Sequence, residues 1–179
     1  MTYIAPYHGK PCLEENQGAI TEEDAAFLYG LALAVRPTCI AEVGTGWLRS
    51  LRAFHEAAAW MLENLNWECQ VWSCDISLPA IEKAHATFPS ARLVYGTSKA
   101  LAEQVVPPPE IIFIDAEHTY GAVKSDYETM LKVAAKNAIF IFHDTEGNDD
   151  LRRFCTEIGC VFIPSGRGIA ILTRGQRDD

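Results

Sequence analysis

The sequence predicts an α/β fold: a doubly wound, mostly parallel seven-stranded sheet with an antiparallel last strand. Three observations carry this. Strand-like and helix-like segments alternate along nearly the whole chain. Several strand-like runs are apolar without a break, residues 111–114 and 138–142 above all. A strand apolar on both faces is one buried between two layers of helices, and that is the signature of a parallel sheet. Finally, the last two runs, 160–163 and 168–172, are separated by Pro164-Ser165-Gly166-Arg167, a hairpin turn that reverses the final strand.

The elements come in order. Residues 1–18 read as irregular, with Pro6, Gly9, Pro11 and Gly18. Thr21 is an N-cap with Asp24 three positions on, in the place usually held by Glu or Gln. The Ala- and Leu-rich stretch Glu22–Val35 is then a helix, stopped ahead of Pro37. Cys39–Val43 is a short strand that runs into Gly44 and Gly46, and residues 50–65 are a helix of strong formers. Residues 69–74 are a buried strand ending at Asp75. Leu78–Thr87 is a helix that tolerates Pro79 in its first turn. Arg92–Tyr95 is a strand ending at Gly96, and 98–104 a short helix. Pro107-Pro108-Pro109 is a stiff connector too short to divide domains. Residues 110–114 form a strand ending at Asp115, 119–135 an amphipathic helix, 138–142 a strand ending at His143-Asp144, and 149–158 the last helix.

Length and composition bound the function. A chain of 179 residues suits a single domain over 1–179. It can bury about 70% of its unfolded surface without help from disulfides. The net charge of -9 supplies no phosphate-neutralising stripe and is repelled by anionic lipid, so neither nucleic acid nor membrane is an expected partner. The apolar runs fall far short of the roughly 20 residues that span a bilayer. The start MTYIAPYHGK lacks the cationic and apolar regions of a signal peptide, which makes a cytoplasmic location the expectation. The six cysteines include no two-residue spacing, and Cys39, Cys69, Cys74 and Cys160 lie in or beside apolar runs. They read as reduced thiols rather than a disulfide or zinc framework.

In a doubly wound sheet, ligands bind at the carboxyl ends of the strands. The residues just past each strand are therefore the candidates for a site. EVGTGWLRS, residues 42–50, places two glycines between a strand and a helix. This is either an ordinary turn or a loop that a nucleotide-type cofactor approaches closely. Glu42 interrupts an apolar strand just before it, where a carboxylate orders the loop or meets a cationic cofactor. Trp47, beside Gly46, reads as aromatic packing at least as readily as a contact to cofactor or substrate. Asp75 is either a helix cap or the acceptor of two ribose hydroxyls.

Taken in order, Glu42-x-Gly44-x-Gly46 and then Asp75 resemble class I S-adenosylmethionine-dependent methyltransferases, over residues 20–172. The segment IIFIDAEHTYGAVKSDYETMLKVAAKNAIFIFHDT, residues 111–145, is similar to the subfamily of cephalosporin-hydroxylase-like and macrolide-sugar O-methyltransferases. Asp115-x-x-His118-x-Tyr120 and a later strand ending in His143-Asp144 carry that similarity. The resemblance implies a Rossmann-like methyltransferase fold with S-adenosylmethionine as cofactor. It places Glu42, Gly44, Gly46 and Ser50 at the methionine and ribose part, Asp75 on the ribose hydroxyls, and Thr97 and Ser98 near the adenine. Leu48 stands where relatives carry a third glycine and, with Arg49, leaves less room in the turn.

Asp115, His143 and Asp144 form a candidate ligand set for a divalent cation, magnesium by its hardness. Such an ion acidifies a bound hydroxyl. His143 reads equally as a structural histidine, and Asp144 as a cap over the next turn. His118, beside Asp115, has the near-neutral pKa of a general base. The expected activity is methyl transfer to a hydroxyl of a small molecule, by a chain that is a possible homo-oligomer. Two rivals stand beside it. A cofactor-binding protein without turnover is supported by the altered glycine loop. An NAD-dependent dehydrogenase is disfavoured, because its ribose-binding acid lies about 20 residues past the glycines and Asp75 lies 29 past Gly46.

Overall fold

A computed structural model describes residues 20–173; the irregular segment expected over 1–18 and Cys12 lie outside them. The elements are α1 (Glu22–Val35), β1 (Cys39–Val43), α2 (Arg49–Leu65), β2 (Gln70–Asp75), α3 (Leu78–Thr87), β3 (Arg92–Tyr95), α4 (Ser98–Ala102), β4 (Ile111–Ile114), α5 (Tyr120–Leu131), β5 (Ile139–His143), α6 (Asp149–Glu157), β6 (Val161–Ile163) and β7 (Ile169–Thr173). They build one seven-stranded sheet of order β3-β2-β1-β4-β5-β7-β6. The pairings among β1 to β5 are all parallel, whereas β7 runs antiparallel to both β5 and β6. The doubly wound sheet with its reversed final strand is thus the fold the sequence predicts.

The unbroken apolar runs are explained by the two-residue period of a strand. In β4, Ile111 and Phe113 join a core shared with α1 and α2, where Leu28, Leu51 and Phe54 are fully buried. Ile112 and Ile114 face the opposite core, shared with α4, α5 and α6. Phe54 and Phe113 meet edge to face at 5.9 Å between centroids.

The chain winds from β1 to β2 to β3 on one side, then returns to lay β4 against the other side of β1. The order reverses there, and the crevice that this reversal opens lies between the ends of β1 and β4. Two boundaries differ from the sequence reading in ways that matter for the site. Helix α2 begins one residue early, at Arg49, because Leu48 adopts a left-handed conformation (φ 69°) and serves as its N-cap. Strand β5 takes in His143, which pairs with Ile169 of β7 and is thereby drawn inside the fold. Among the described residues no helix is long and apolar enough to cross a membrane.

Candidate active site

Gly44 ends β1 against the carbonyl of Asp115, the first residue after β4. Its φ is +101°, and a Cβ built on it would lie 2.2 Å from that carbonyl oxygen. No other residue type fits there. The N–H groups of Gly44 and Thr45 both donate to the carbonyl of Cys74, at 2.9 and 3.1 Å, which turns the loop over the end of β2. Leu48 departs from the glycine pattern without filling the crevice. Its side chain is buried in the core shared by α1 and α2, and it takes up the left-handed backbone that a glycine would otherwise supply. Arg49 is held by the carbonyl of Ile20 and lies 3.5 Å from Glu22.

Beneath this loop is a buried polar chain. Thr45 and Ser73 hydroxyls lie 2.6 Å apart, Ser73 donates to Glu42 Oε2 at 2.5 Å, and Ser50 bonds the same carboxyl. Complete burial pushes Glu42 up to about 8, against the pull of the two serines, with the Asp115 and Asp75 charges adding to the rise. Among the described residues Glu42 Oε1 has no hydrogen-bond partner. The group is a neutral acid at pH 7 that ties β1, β2 and α2 together.

Asp75 performs its local role through backbone donors. Its Oδ2 accepts the Gly46 N–H at 2.9 Å and its Oδ1 the Ser77 N–H at 2.7 Å. One carboxylate thus pins the glycine loop to the turn that opens α3, and each oxygen keeps a lone pair for a ligand. Across the crevice, Ser98 donates to Asp126 Oδ1 at 2.6 Å. Burial raises the Asp126 carboxyl above its ordinary range.

These groups surround a cavity of about 830 Å³, within the range of small-molecule sites. Of the residues expected at a cofactor, Gly44, Gly46, Ser50, Asp75, Thr97 and Ser98 line it. Glu42 does not. It lies one layer behind, fully buried, where its carboxyl is bonded by Ser73 and Ser50 beneath the loop. Trp47, Ile76 and Asp126 also line the cavity. Trp47 is ambiguous from sequence, and neither Ile76 nor Asp126 carries a local signal of a site. Trp47 and Ile76 stay 48% and 73% exposed at the cavity wall.

At one end of the cavity stands a cluster of acids and histidines. His118 Nε2 lies 3.3 Å from Asp115 Oδ1 and 3.2 Å from Asp144 Oδ2. The hydrogen bond to Asp115 raises the His118 pKa, against the opposing effect of burial. Asp115 is lowered although burial resists it, because His118 and His143 both bond to it. Arg167 Nε pairs with Asp144 Oδ1 at 2.6 Å.

The one nitrogen and two oxygens that converge as a possible cation site belong to His118, Asp115 and Asp144, all within 4.8 Å of one another. The expected set has His143 where this group has His118. His143 is 1% exposed, and both its ring nitrogens face carboxylates, Nδ1 toward Asp115 at 3.2 Å and Nε2 toward Asp24 at 3.2 Å. Burial would lower its pKa, but the two carboxylates overcome this and hold it at about 9. A ring protonated on both nitrogens has no lone pair for a metal.

A family model described as a methyltransferase domain matches residues 29–145. The chain belongs to this methyltransferase family. The match runs from α1 to the residue after Asp144, so it spans the glycine loop, Asp75 and the acid–histidine cluster. Solved structures agree on the fold. A methyltransferase from Geobacter sulfurreducens is similar with a TM-score of 0.72 and 19% identity, covering 88% of this chain and 81% of that one. An O-methyltransferase from Bacillus cereus, in complex with S-adenosylhomocysteine, gives 0.68 and 16%, over 89% and 84%. The O-methyltransferase TomG from Streptomyces achromogenes, in complex with S-adenosylmethionine, gives 0.67 and 15%, over 88% and 82%. No curated protein sequence matches the chain. The methyltransferase family and the sheet order together make this a class I, S-adenosylmethionine-dependent methyltransferase by fold.

Proposed function

We propose that this methyltransferase transfers the methyl group of S-adenosylmethionine to a hydroxyl of a small molecule, with His118 as the general base. The observation that carries the reading is the position of His118. It lines the same cavity as the glycine loop and Asp75, and two carboxylates orient its Nε2.

The residues fit the cofactor. Gly44, Gly46 and Asp75 line one cavity, and Asp75 keeps acceptor capacity after holding Gly46 and Ser77. Gly44, Gly46 and Ser50 hold the methionine and ribose part, Asp75 binds the ribose hydroxyls, and Thr97 and Ser98, with Asp126, take the adenine end. When bound, S-adenosylmethionine supplies an electrophilic methyl on a sulfonium, so the chain's own task is positioning and deprotonation. His118 removes the acceptor proton, and the Asp115 and Asp144 carboxylates stabilise the imidazolium that forms. The acceptor is uncharged or cationic rather than polyanionic, since the chain carries -9 and carboxylates crowd this end. Trp47 offers a half-open aromatic face to a phenol or a sugar ring at the cavity wall.

A second reading is favoured by the convergence of Asp115, His118 and Asp144 within 4.8 Å. Two oxygens and a nitrogen suit a divalent cation such as magnesium, which would supply acidity to a bound hydroxyl. His118 would then be a ligand and not the base.

The test is S-adenosylhomocysteine formation with a panel of phenols and sugars, for wild type and His118→Ala, with and without chelator. Turnover by wild type that survives chelator and that His118→Ala loses supports the reading. Tight binding of S-adenosylhomocysteine without transfer to any acceptor would reassign the chain as a cofactor-binding protein without turnover.

A further inference from the structure

Asp24 does more than its place in a helix cap requires. Thr21 N and Thr21 Oγ1 donate to its Oδ2 at 3.2 and 2.7 Å, and the Asp24 N–H donates back to Thr21 at 3.1 Å. Those bonds complete the capping box of α1. A capping acid is normally open to solvent, but Asp24 is 0% exposed. Three further contacts come from distant parts of the chain. Ser165 Oγ donates to Oδ1 at 2.8 Å, Arg167 N to Oδ2 at 3.4 Å, and His143 Nε2 faces Oδ2 at 3.2 Å. Gly166 sits so close that a Cβ on it would lie 2.1 Å from Thr21 Oγ1 and 2.5 Å from Asp24 Oδ2. The hairpin between β6 and β7 is therefore seated on the start of α1.

From Asp24 an unbroken line of acids and imidazoles runs to the cavity. Asp24 Oδ2 meets His143 Nε2 at 3.2 Å, His143 Nδ1 meets Asp115 Oδ1 at 3.2 Å, and Asp115 Oδ1 meets His118 Nε2 at 3.3 Å. Carboxylates only accept, so His143 donates from both nitrogens. A ring anchored at both ends cannot turn without losing both bonds. Asp115 is in turn fixed by a donor it cannot lose, and its Oδ1 presents a set direction to His118. Asp144 Oδ1 also lies 3.3 Å from His143 Nδ1, and Phe113 packs 6.0 Å from the His143 ring.

We propose that Asp24 is a positioning residue of the methyl-transfer site: by anchoring His143 it orients Asp115, and through Asp115 it sets the His118 ring at the cavity wall. The inference rests on the reading of His118 as the base, but the coupling itself can be measured without turnover. Asp24 also lies outside the stretch matched by the family model, which begins at residue 29.

The experiment is a ¹⁵N–¹H spectrum of the histidine rings in the full chain. There are five histidines, with His118 and His143 assigned from single variants. Asp24→Asn, which leaves a neutral acceptor where the carboxylate stood, is expected to weaken and shift the hydrogen-bonded Nε2–H signal of His143 and to shift the ring nitrogens of His118. Thr21→Ala, which weakens the cap but keeps the Asp24–His143 contact, is expected to lower the melting temperature and leave both rings as in wild type. A His118 ring unmoved by Asp24→Asn, or moved equally by Thr21→Ala, overturns the proposal. Should Asp24→Asn fail to fold, His143→Gln keeps the capping box and must displace the His118 signals; unchanged signals again overturn it. With a transferring wild type, Asp24→Asn lowers kcat and leaves the KM for S-adenosylmethionine unchanged. A fall in both that merely tracks the folded fraction overturns the positioning role. A wild type that transfers no methyl overturns the base assignment instead, so the two failures are told apart.

Discussion

Ser73 donates to Glu42 at 2.5 Å, inside the sheet and sealed from solvent. The contact joins two neighbouring strands just below the glycine loop, through an acid that burial keeps protonated at neutral pH.

The first prediction concerns that proton. The folded state holds Glu42 at about 8, above the ordinary 4.5. Between those values the folded chain keeps a proton that the unfolded chain releases. This group's contribution therefore favours folding below pH 4.5, and stability falls as pH rises toward 8. The slope is about 1.4 kcal/mol per pH unit. Glu42→Gln removes the titration. Its stability relative to wild type should be near equal at pH 4.5 and higher by a few kcal/mol at pH 8. Urea unfolding of both proteins at the two pH values measures this, and a pH-independent difference contradicts it.

Asp75 supplies the second. It binds two backbone N–H groups, one in the glycine loop and one in the turn before α3. Hydrogen bonds to a charged group contribute about 1.5–3 kcal/mol each. Asp75→Ala frees the loop and removes the proposed partner of the ribose hydroxyls. S-adenosylhomocysteine affinity should fall by about tenfold or more, and Asp75→Asn, which keeps one acceptor oxygen, by less. Isothermal titration calorimetry decides between these and an unchanged affinity.

Gly44→Ala is the third. Its Cβ would overlap the Asp115 carbonyl at 2.2 Å, so the ends of β1 and β4 must part. Backbone strain at a positive φ costs about 1–3 kcal/mol before that separation is counted. The melting temperature should drop by about 2–4 °C for each kcal/mol, and S-adenosylhomocysteine binding should weaken with it. Gly46→Ala is the comparison: nothing lies within 4 Å of a Cβ at Gly46, so only its positive φ of 43° opposes the change, and it should lower the melting temperature less than Gly44→Ala.

Short-range pattern is what the sequence makes legible. Unbroken apolar runs mark the strands, because two-sided burial leaves no room for polar alternation. Gly44 and Asp75 are legible because a strand end that meets glycine or acid is a local signal. The role of Leu48 is not, since nothing in one residue says that it will take a left-handed backbone and turn into the core. From sequence Asp24 is a cap and no more. Its other partners are His143, Ser165 and Arg167, at separations of 119, 141 and 143 residues, and no local spacing announces a contact of that length. For the same reason the sequence leaves His143 equally a metal ligand and a structural histidine, because the acid at its second nitrogen lies 119 residues away along the chain.

His118 carries the last prediction. As the base, it is needed for proton removal but not for holding the cofactor. His118→Ala should lower kcat by about 10²–10⁴ while S-adenosylhomocysteine binds as in wild type. Chelation should leave wild-type turnover intact, and a calorimetric titration with Mg²⁺ should look the same for both proteins. If His118 is instead the third ligand beside Asp115 and Asp144, chelation removes wild-type turnover, Mg²⁺ restores it, and His118→Ala weakens Mg²⁺ binding together with rate. Asp144→Asn sharpens the contrast. Its oxygens face both His118 and Arg167. Loss of the charge should reduce the rate in either case, but it changes the Mg²⁺ titration only where the ion is held by these three side chains.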